Sequence, residues 1–341
     1  MPLDWTARCD ALIAGTGLAG LRAAYDCAKA GLEVILISKG GLCSGASFYP
    51  LADCLGSQLP DGEADKPVYL AELMEAGAGV GDEELCLLLV DQIWPETRRL
   101  PEIGIDYGFY SGRAACFARR ERALTVWSDW PKVRRNCERI FSGFANLRLL
   151  PFCDLLRLDK RDGAIAGAIV CDRDNRIGYV AAPAVILATG GYCGLYGHSL
   201  NTPDVCGIGH RAALDAGADA VNLEFLQFIP GLTAPKYGLL FSETTLLHCS
   251  AVIDERGEAA LEPYLPEGVT LRQCLTARSA HGPFTTADAS RYFDLAIMEH
   301  VHKTGSQRGL ALLYGREFDA DPNPCVRMAR DFYRANGIDL P

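Results

Sequence analysis

The sequence predicts an α/β protein built on a doubly wound, mainly parallel sheet. Two patterns carry that expectation. In the first forty residues an apolar run, a glycine-rich turn, a helical stretch and a second apolar run follow in strict order. Far downstream, Ala184 to Ala188 (AVILA) forms another short apolar run that leads into Thr189-Gly190-Gly191. Short apolar runs alternating with helices are the mark of strands buried on both faces. A length of 341 residues adds a second domain, because single cores stop growing at about 250–300 residues.

Each element follows from its residues. Cys9 to Ala14 (CDALIA) is the first strand, Gly15-Thr16-Gly17-Leu18-Ala19-Gly20 the turn, and a helical pattern runs to Ala30. Gly31 ends the helix, and Leu32 to Ser38 (LEVILIS) is the second buried strand. In this context the glycines have distinct duties. Gly15 permits the tight turn, Gly17 lets backbone approach a pyrophosphate, and Gly20 lets the helix pack on the strand. The helix N-terminus then offers N–H groups and partial positive charge to phosphate oxygens. A Rossmann-type dinucleotide pocket is expected. A nicotinamide site usually places Asp or Glu at the end of the second strand, but here the chain reads Ser38-Lys39-Gly40-Gly41. Small residues follow, Ser44-Gly45-Ala46-Ser47-Phe48-Tyr49, and they allow close backbone approach to a flat ligand.

Charge and composition narrow the class. Hydrophobic residues make up 49% and charged residues 22%, and 33 basic against 43 acidic side chains give a net charge of −10. Such a field repels nucleic acid and anionic lipid. One basic run, Arg113, Arg119, Arg120, Arg122, Lys132, Arg134, Arg135 and Arg139, is interleaved with Trp127 and Trp130. It reads as a solvated face or a loop near an anionic ligand rather than a nucleic-acid surface. The 14 cysteines include no Cys-x-x-Cys and no cysteine pair beside a histidine pair, so no metal site is expected. Cys9, Cys27, Cys171 and Cys193 fall in or beside apolar runs, where a free thiol serves as a small core residue. No leader pattern precedes the first strand and no apolar stretch reaches membrane-spanning length, so a cytoplasmic protein without membrane insertion is expected.

Taken together, GTGLAG after a strand, the strand end ISKGG, SGASFY and ATGG resemble the fumarate reductase, succinate dehydrogenase and L-aspartate oxidase flavoproteins. The aspartate oxidase branch is most similar, sharing a Ser-Lys-Gly strand end and a small-Ser/Thr-Phe-Tyr loop. The likeness extends through AELMEAGAGVGDEEL and NTPDVCGIGHRAALDAGADAVNLEFLQFIPG. It implies FAD, with its pyrophosphate on Gly15, Gly17, Leu18, Ala19 and Gly20, its ribose near Ser38 and Lys39, and its flavin near Ser44, Gly45, Ala46, Ser47 and Phe48. Thr189, Gly190 and Gly191 complete the cofactor set. Ala46 stands where succinate dehydrogenases carry the flavin-linked histidine, so the resemblance implies a non-covalent cofactor. It also implies an FAD-binding domain over 1–221, an α+β capping domain over 222–331 and a tail over 332–341. The family's return strand and its arginine-bearing loop have no counterpart here. A natural fragment, a second polypeptide completing the FAD site, or decayed FAD binding would each account for that.

The resemblance also exposes losses. Where the family has a histidine in Glu-Phe-x-Gln-x-His-Pro, this chain has Ile229. The arginine of Thr-Glu-x-x-Arg-Gly-Glu is Leu246, although Glu243 persists. Thr286 replaces the proton-shuttling arginine, and Ile208 replaces the aspartate of Thr-Gly-Asp-Gly. A dicarboxylate needs paired cations, since desolvating an unpaired ion costs several kcal/mol. The expectation is a flavin-dependent oxidoreductase with an altered or lost substrate site that passes a hydride or electron pair. The alternative is an inert or partial flavoprotein subunit within a complex. No catalytic residue is assigned, and His281 and Glu243 are weak candidates. The thiols of Cys43 and Cys206, and the histidines His198, His210, His248, His300 and His302, read more readily as structural groups. The small-molecule substrate stays unidentified.

Overall fold

The computed structural model describes residues 2–113 and 118–340, without the side chains of 110–113 and 316. The chain opens with β1 (Trp5–Arg8), β2 (Ala11–Ala14), α1 (Leu18–Lys29) and β3 (Val34–Ser38). It continues through β4 (Leu55–Gln58), α2 (Lys66–Ala76), α3 (Glu83–Arg98), β5 (Gly108–Arg113), β6 (Arg122–Trp127) and α4 (Trp130–Phe141). Five strands follow: β7 (Leu147–Pro151), β8 (Asp154–Arg161), β9 (Ala164–Cys171), β10 (Ile177–Ala181) and β11 (Ala184–Leu187). After α5 (Ile208–Asp215) come β12 (Gly231–Leu232), β13 (Leu239–Leu240), β14 (Cys249–Ile253), α6 (Leu271–Arg278), α7 (Arg291–Thr304), β15 (Ala311–Tyr314) and α8 (Pro324–Ala335).

These elements pack into two units interleaved along the chain. The first comprises 1–50, 96–107 and 127–226, and the second 51–95, 108–126 and 227–341. The first unit is α/β. Its central sheet has the order β11-β2-β3-β7, with every neighbouring pair parallel. Burial explains why LIA and VILI are apolar without alternation: Leu12, Ile13 and Leu36 are fully buried, and no residue of β2 or β3 exceeds 4% exposure. A second sheet, β1-β10-β9-β8, is mostly antiparallel and shares a core with the first through Leu12, Ile35, Leu155, Val170 and Val180. Buried side chains of this kind contribute about 1.5–3 kcal/mol each.

The second unit is α+β. It holds the sheet β4-β6-β5 and the pairs β12-β13 and β14-β15. One core gathers Phe241, Leu246, Val252, Leu275 and Phe293, with the rings of Phe241 and Phe293 stacked 6.2 Å apart. The start of α6 is fixed by a capping box between Thr270 and Gln273. Arg122 is wholly buried and bound to Asp65 at 2.6 and 3.0 Å and to Glu72 at 2.6 Å. Three more members of the basic run are paired: Arg119 with Glu75, Arg120 with Asp65 and Asp61, and Lys132, in the first unit, with Asp106. The side chain of Arg113 lies outside the described residues. No described helix is long and apolar enough to cross a membrane.

Candidate functional site

The glycine turn sits where β2, α1 and the end of β11 converge in the first unit, and its three glycines differ in what holds them. Gly15 has φ +117°, and a Cβ there would lie 2.1 Å from the carbonyl oxygen of Ala188. A Cβ on Gly20 would lie 1.9 Å from the carbonyl oxygen of Gly15. Both positions are dictated by the protein's own packing. Gly17 is different. Its Cβ would meet nothing closer than Ser47 Oγ at 3.6 Å, so its missing side chain leaves room on the open side of the turn.

That open side is a cleft of about 370 Å³. Gly15, Gly17, Leu18, Ala19, Ser38, Lys39, Ser44, Gly45, Ala46, Ser47, Thr189 and Gly190 all line it. Three residues of the sequence-derived set stand apart. Gly20 is buried against Gly15, Phe48 is 3% exposed and meets the edge of Trp130 at 6.4 Å, and Gly191 is exposed and accepts the backbone N–H of Gly207. Ser38 is also turned inward. Its hydroxyl lies 2.8 Å from Thr16 Oγ1 and 3.0 Å from Ser44 Oγ, and Thr16 donates to the Gly41 carbonyl at 2.8 Å. This hydroxyl cluster fastens the glycine turn to the end of β3 and to the following loop.

α1 begins at Gly17 with no side-chain cap and no acidic residue in its first turn. Among the described residues, Ser47 Oγ accepts the Leu18 N–H at 3.2 Å. An uncapped helix start behind a glycine with open space before it fits the diphosphate of a dinucleotide. Sequence reasoning missed several lining residues. Asp204 lies over Gly40 and Gly45, and Cys153, Asp154 and Leu155 close another wall. Only the distance along the chain hid them. Lys39 pairs with Asp154 at 3.5 Å. Burial, reinforced by Asp172 and Asp154, pushes the Cys153 thiol up to about 12, so it stays neutral near pH 7.

The other candidates lie in the second unit. Glu243 opens a 3-10 turn, Glu243–His248, and its Oε2 sits 3.9 Å from where a Gly282 Cβ would be. Ser242 donates to Asp53 at 2.8 Å, and its N–H donates to Tyr333 Oη at 2.9 Å. Burial holds the Asp53 carboxyl above its usual range, against the lowering bond from Ser242. His281 is 6% exposed; its Nδ1 donates to the Pro283 carbonyl at 2.7 Å, and its Nε2 lies 3.9 Å from Asp288. Arg278, wholly buried, pairs with Asp294 at 2.7 Å and donates to the carbonyls of His281 and Gly282. Its charge is therefore spent on holding this loop. Leu246 is fully buried in the core, Ile229 is half-buried and Thr286 is exposed. Among the described residues, no group of three or more His, Cys, Asp or Glu could hold a metal ion.

Comparison with known proteins places this geometry. The model of the FAD binding domain family matches residues 10–320. An L-aspartate oxidase of Streptomyces coelicolor is 27% identical over 325 residues, covering 88% of this chain and 55% of that protein. One subunit of the fumarate reductase (CoM/CoB) from Methanothermobacter marburgensis is 27% identical, covering 80% of this chain and 52% of its own length. The chain thus spans about half the length of these relatives. A mutant of the quinol fumarate reductase of E. coli superposes with a TM-score of 0.70 at 20% identity, covering 98% of this chain and 58% of that one. The chain belongs to the FAD-binding domain family, within the group of flavoproteins that includes L-aspartate oxidases and fumarate reductases.

Proposed function

We propose that this chain holds FAD non-covalently in the cleft and serves a redox reaction whose substrate is not a C4 dicarboxylate. The observation that carries the cofactor reading is Gly17, a glycine the protein's own packing does not require, standing before an uncapped helix. The N–H groups at the start of α1 would hold the pyrophosphate, and the backbone of Ser44 to Ser47 would wall the flavin side. Ala46 offers no nucleophile for a covalent link. The flavin supplies the capacity to accept or donate a hydride or an electron pair.

The substrate reading rests on Leu246. At a position where relatives of this type place a cation, this side chain is part of an apolar core rather than a lining group. The nearby charges, Asp53 and Glu243, are acidic, and Arg278 is neutralised by Asp294. A dianion entering such surroundings finds no unspent cation among these groups. Purified protein reconstituted with FAD is expected to show no fumarate reduction and no succinate or aspartate oxidation above background. Robust turnover of any of the three overturns the substrate half of the proposal.

A second reading, a partial subunit completed by another polypeptide segment, is favoured by β11. This edge strand of a parallel sheet leaves Ile186 37% exposed, whereas β2 and β3 are buried throughout. A parallel strand laid on that edge would satisfy its backbone and cover Ile186. Affinity copurification from the native host tests it, and recovery of the chain alone counts against it.

A further inference from the structure

A dinucleotide fold commonly ends its second parallel strand in Asp or Glu, whose carboxylate accepts a hydrogen bond from the adenosine ribose. Here β3 ends in Ser38, and that residue is fully engaged. Its hydroxyl lies 2.8 Å from Thr16 Oγ1, 3.0 Å from Ser44 Oγ and 3.3 Å from the Gly41 carbonyl oxygen. Its own carbonyl accepts the Cys153 N–H at 2.8 Å. The next residue, Lys39, lines the cleft, but an ammonium donates hydrogen bonds and accepts none. The strand end therefore brings no side chain of its own to receive a hydroxyl proton.

A carboxylate arrives from a distant part of the chain. β7 runs parallel to β3, with Pro151 opposite Ser38. Beyond Pro151 the backbone turns across the end of β3. Phe152 has φ 55°, and its N–H donates to the Gly40 carbonyl at 3.0 Å. Asp154 follows at the start of β8, where its pairing opposite Cys171 of β9 fixes its backbone. Cys153 and Leu155 are buried on either side, while the Asp154 side chain is 40% exposed at the cleft wall. Its Oδ2 lies 3.5 Å from Lys39 Nζ. So open an ion pair holds its members weakly, and a carboxylate with about four lone-pair positions gives only one of them to Lys39. The other carboxylate on the wall, Asp204, stands instead over Gly40 and Gly45.

We propose that Asp154 is the carboxylate that accepts the 2′-hydroxyl of the adenosine ribose, in place of an acid at the end of β3. The assignment rests on the FAD reading above and makes the cleft selective for an adenine nucleotide whose 2′-hydroxyl is free. A nucleotide lacking that hydroxyl leaves Asp154 with Lys39 alone. One carrying a 2′-phosphate sets a second negative charge against Asp154, while the nearby cation is already paired.

Isothermal titration calorimetry on the intact chain tests this with ADP, 2′-deoxy-ADP and 2′-phospho-ADP. Wild type should bind ADP about tenfold more tightly than either analogue. Asp154→Ala should melt close to wild type, because only a half-exposed pair is lost. It should bind ADP and 2′-deoxy-ADP alike, and 2′-phospho-ADP more tightly than wild type does, since Lys39 is freed for the phosphate. Equal binding of ADP and 2′-deoxy-ADP by wild type overturns the assignment without recourse to any variant. A preference for ADP that Asp154→Ala retains overturns it as well. FAD uptake measured alongside separates this proposal from the one it rests on. A wild type that takes up FAD but ignores the 2′-hydroxyl refutes the role of Asp154 and leaves the cofactor reading standing. Selection of ADP without FAD uptake supports Asp154 and refutes the flavin, and binding of neither refutes both.

Discussion

The glycine turn and the loop around Glu243 are built on opposite principles. In the first unit, the site is made of backbone: Gly15 and Gly20 are forced by carbonyl contacts near 2 Å, Gly17 faces open space, and the hydroxyls of Thr16, Ser38 and Ser44 bond to one another. In the second unit, the candidates are side chains whose charges are satisfied locally, as in Arg278–Asp294 and Asp53–Ser242. A site made of backbone tolerates side-chain drift around it. A site made of side chains is vulnerable when one position joins the core, and Leu246 lies in the core. The contrast supports the proposed reading, in which the cofactor cleft is kept and the substrate chemistry departs from that of the relatives.

The largest effect expected from breaking this contrast lies at Gly20. Gly20→Val forces a Cβ into the Gly15 carbonyl and should cost more than about 4 kcal/mol, read as loss of the cooperative thermal transition. Next comes Leu246→Arg, which tests whether the cation that the family resemblance implies can be placed there. Leu246 is at 0% exposure, so an arginine there is an unpaired buried charge, and a loss of about 3–5 kcal/mol in denaturant melts is expected, with no gain of dicarboxylate turnover.

Arg122→Met leaves Asp65 and Glu72 without their buried cation and should cost about 3 kcal/mol at neutral pH. The pH dependence has a definite sign. The hydrogen bond from Arg122 is the largest influence holding the Asp65 carboxyl below its ordinary range. Its stabilisation is therefore complete above the unfolded value of about 3.9 and is lost as pH falls through the lower folded value. The gap between wild type and variant should narrow as chemical denaturation is repeated below about pH 4. The smallest effect is at Thr16→Val, which removes one hydroxyl from the cluster and should cost about 1–2 kcal/mol while leaving the fold intact.

Much of the first unit was legible because its signals are local. The apolar runs and glycine spacing place β2, α1 and β3 within a residue or two of where they fall, and AVILA becomes β11, hydrogen-bonded beside β2. Other features depend on contacts across long stretches of chain. The pairing of β3 with β7 joins residues more than a hundred positions apart, and the mostly antiparallel sheet β1-β10-β9-β8 carries no glycine motif to announce it. The interleaving of 51–95 and 108–126 with the last third of the chain has the same origin. Within the cleft, the small residues were readable as small, but not that Ser38 would spend its hydroxyl inward or that Asp204 would reach the wall beside Gly45. At Leu246 the apolar side chain was visible in the sequence, and its burial was not.

The most direct test is FAD binding by wild type and Gly17→Val, followed by flavin absorbance and fluorescence. Wild-type protein should take up one FAD per chain and release all of it on denaturation. Gly17→Val should fold with nearly the same melting temperature, yet bind at least about a hundredfold more weakly, because its side chain fills only ligand space. A wild-type chain that takes up no FAD, or a Gly17→Val variant that binds it as well, would contradict the placement of the cofactor at this turn.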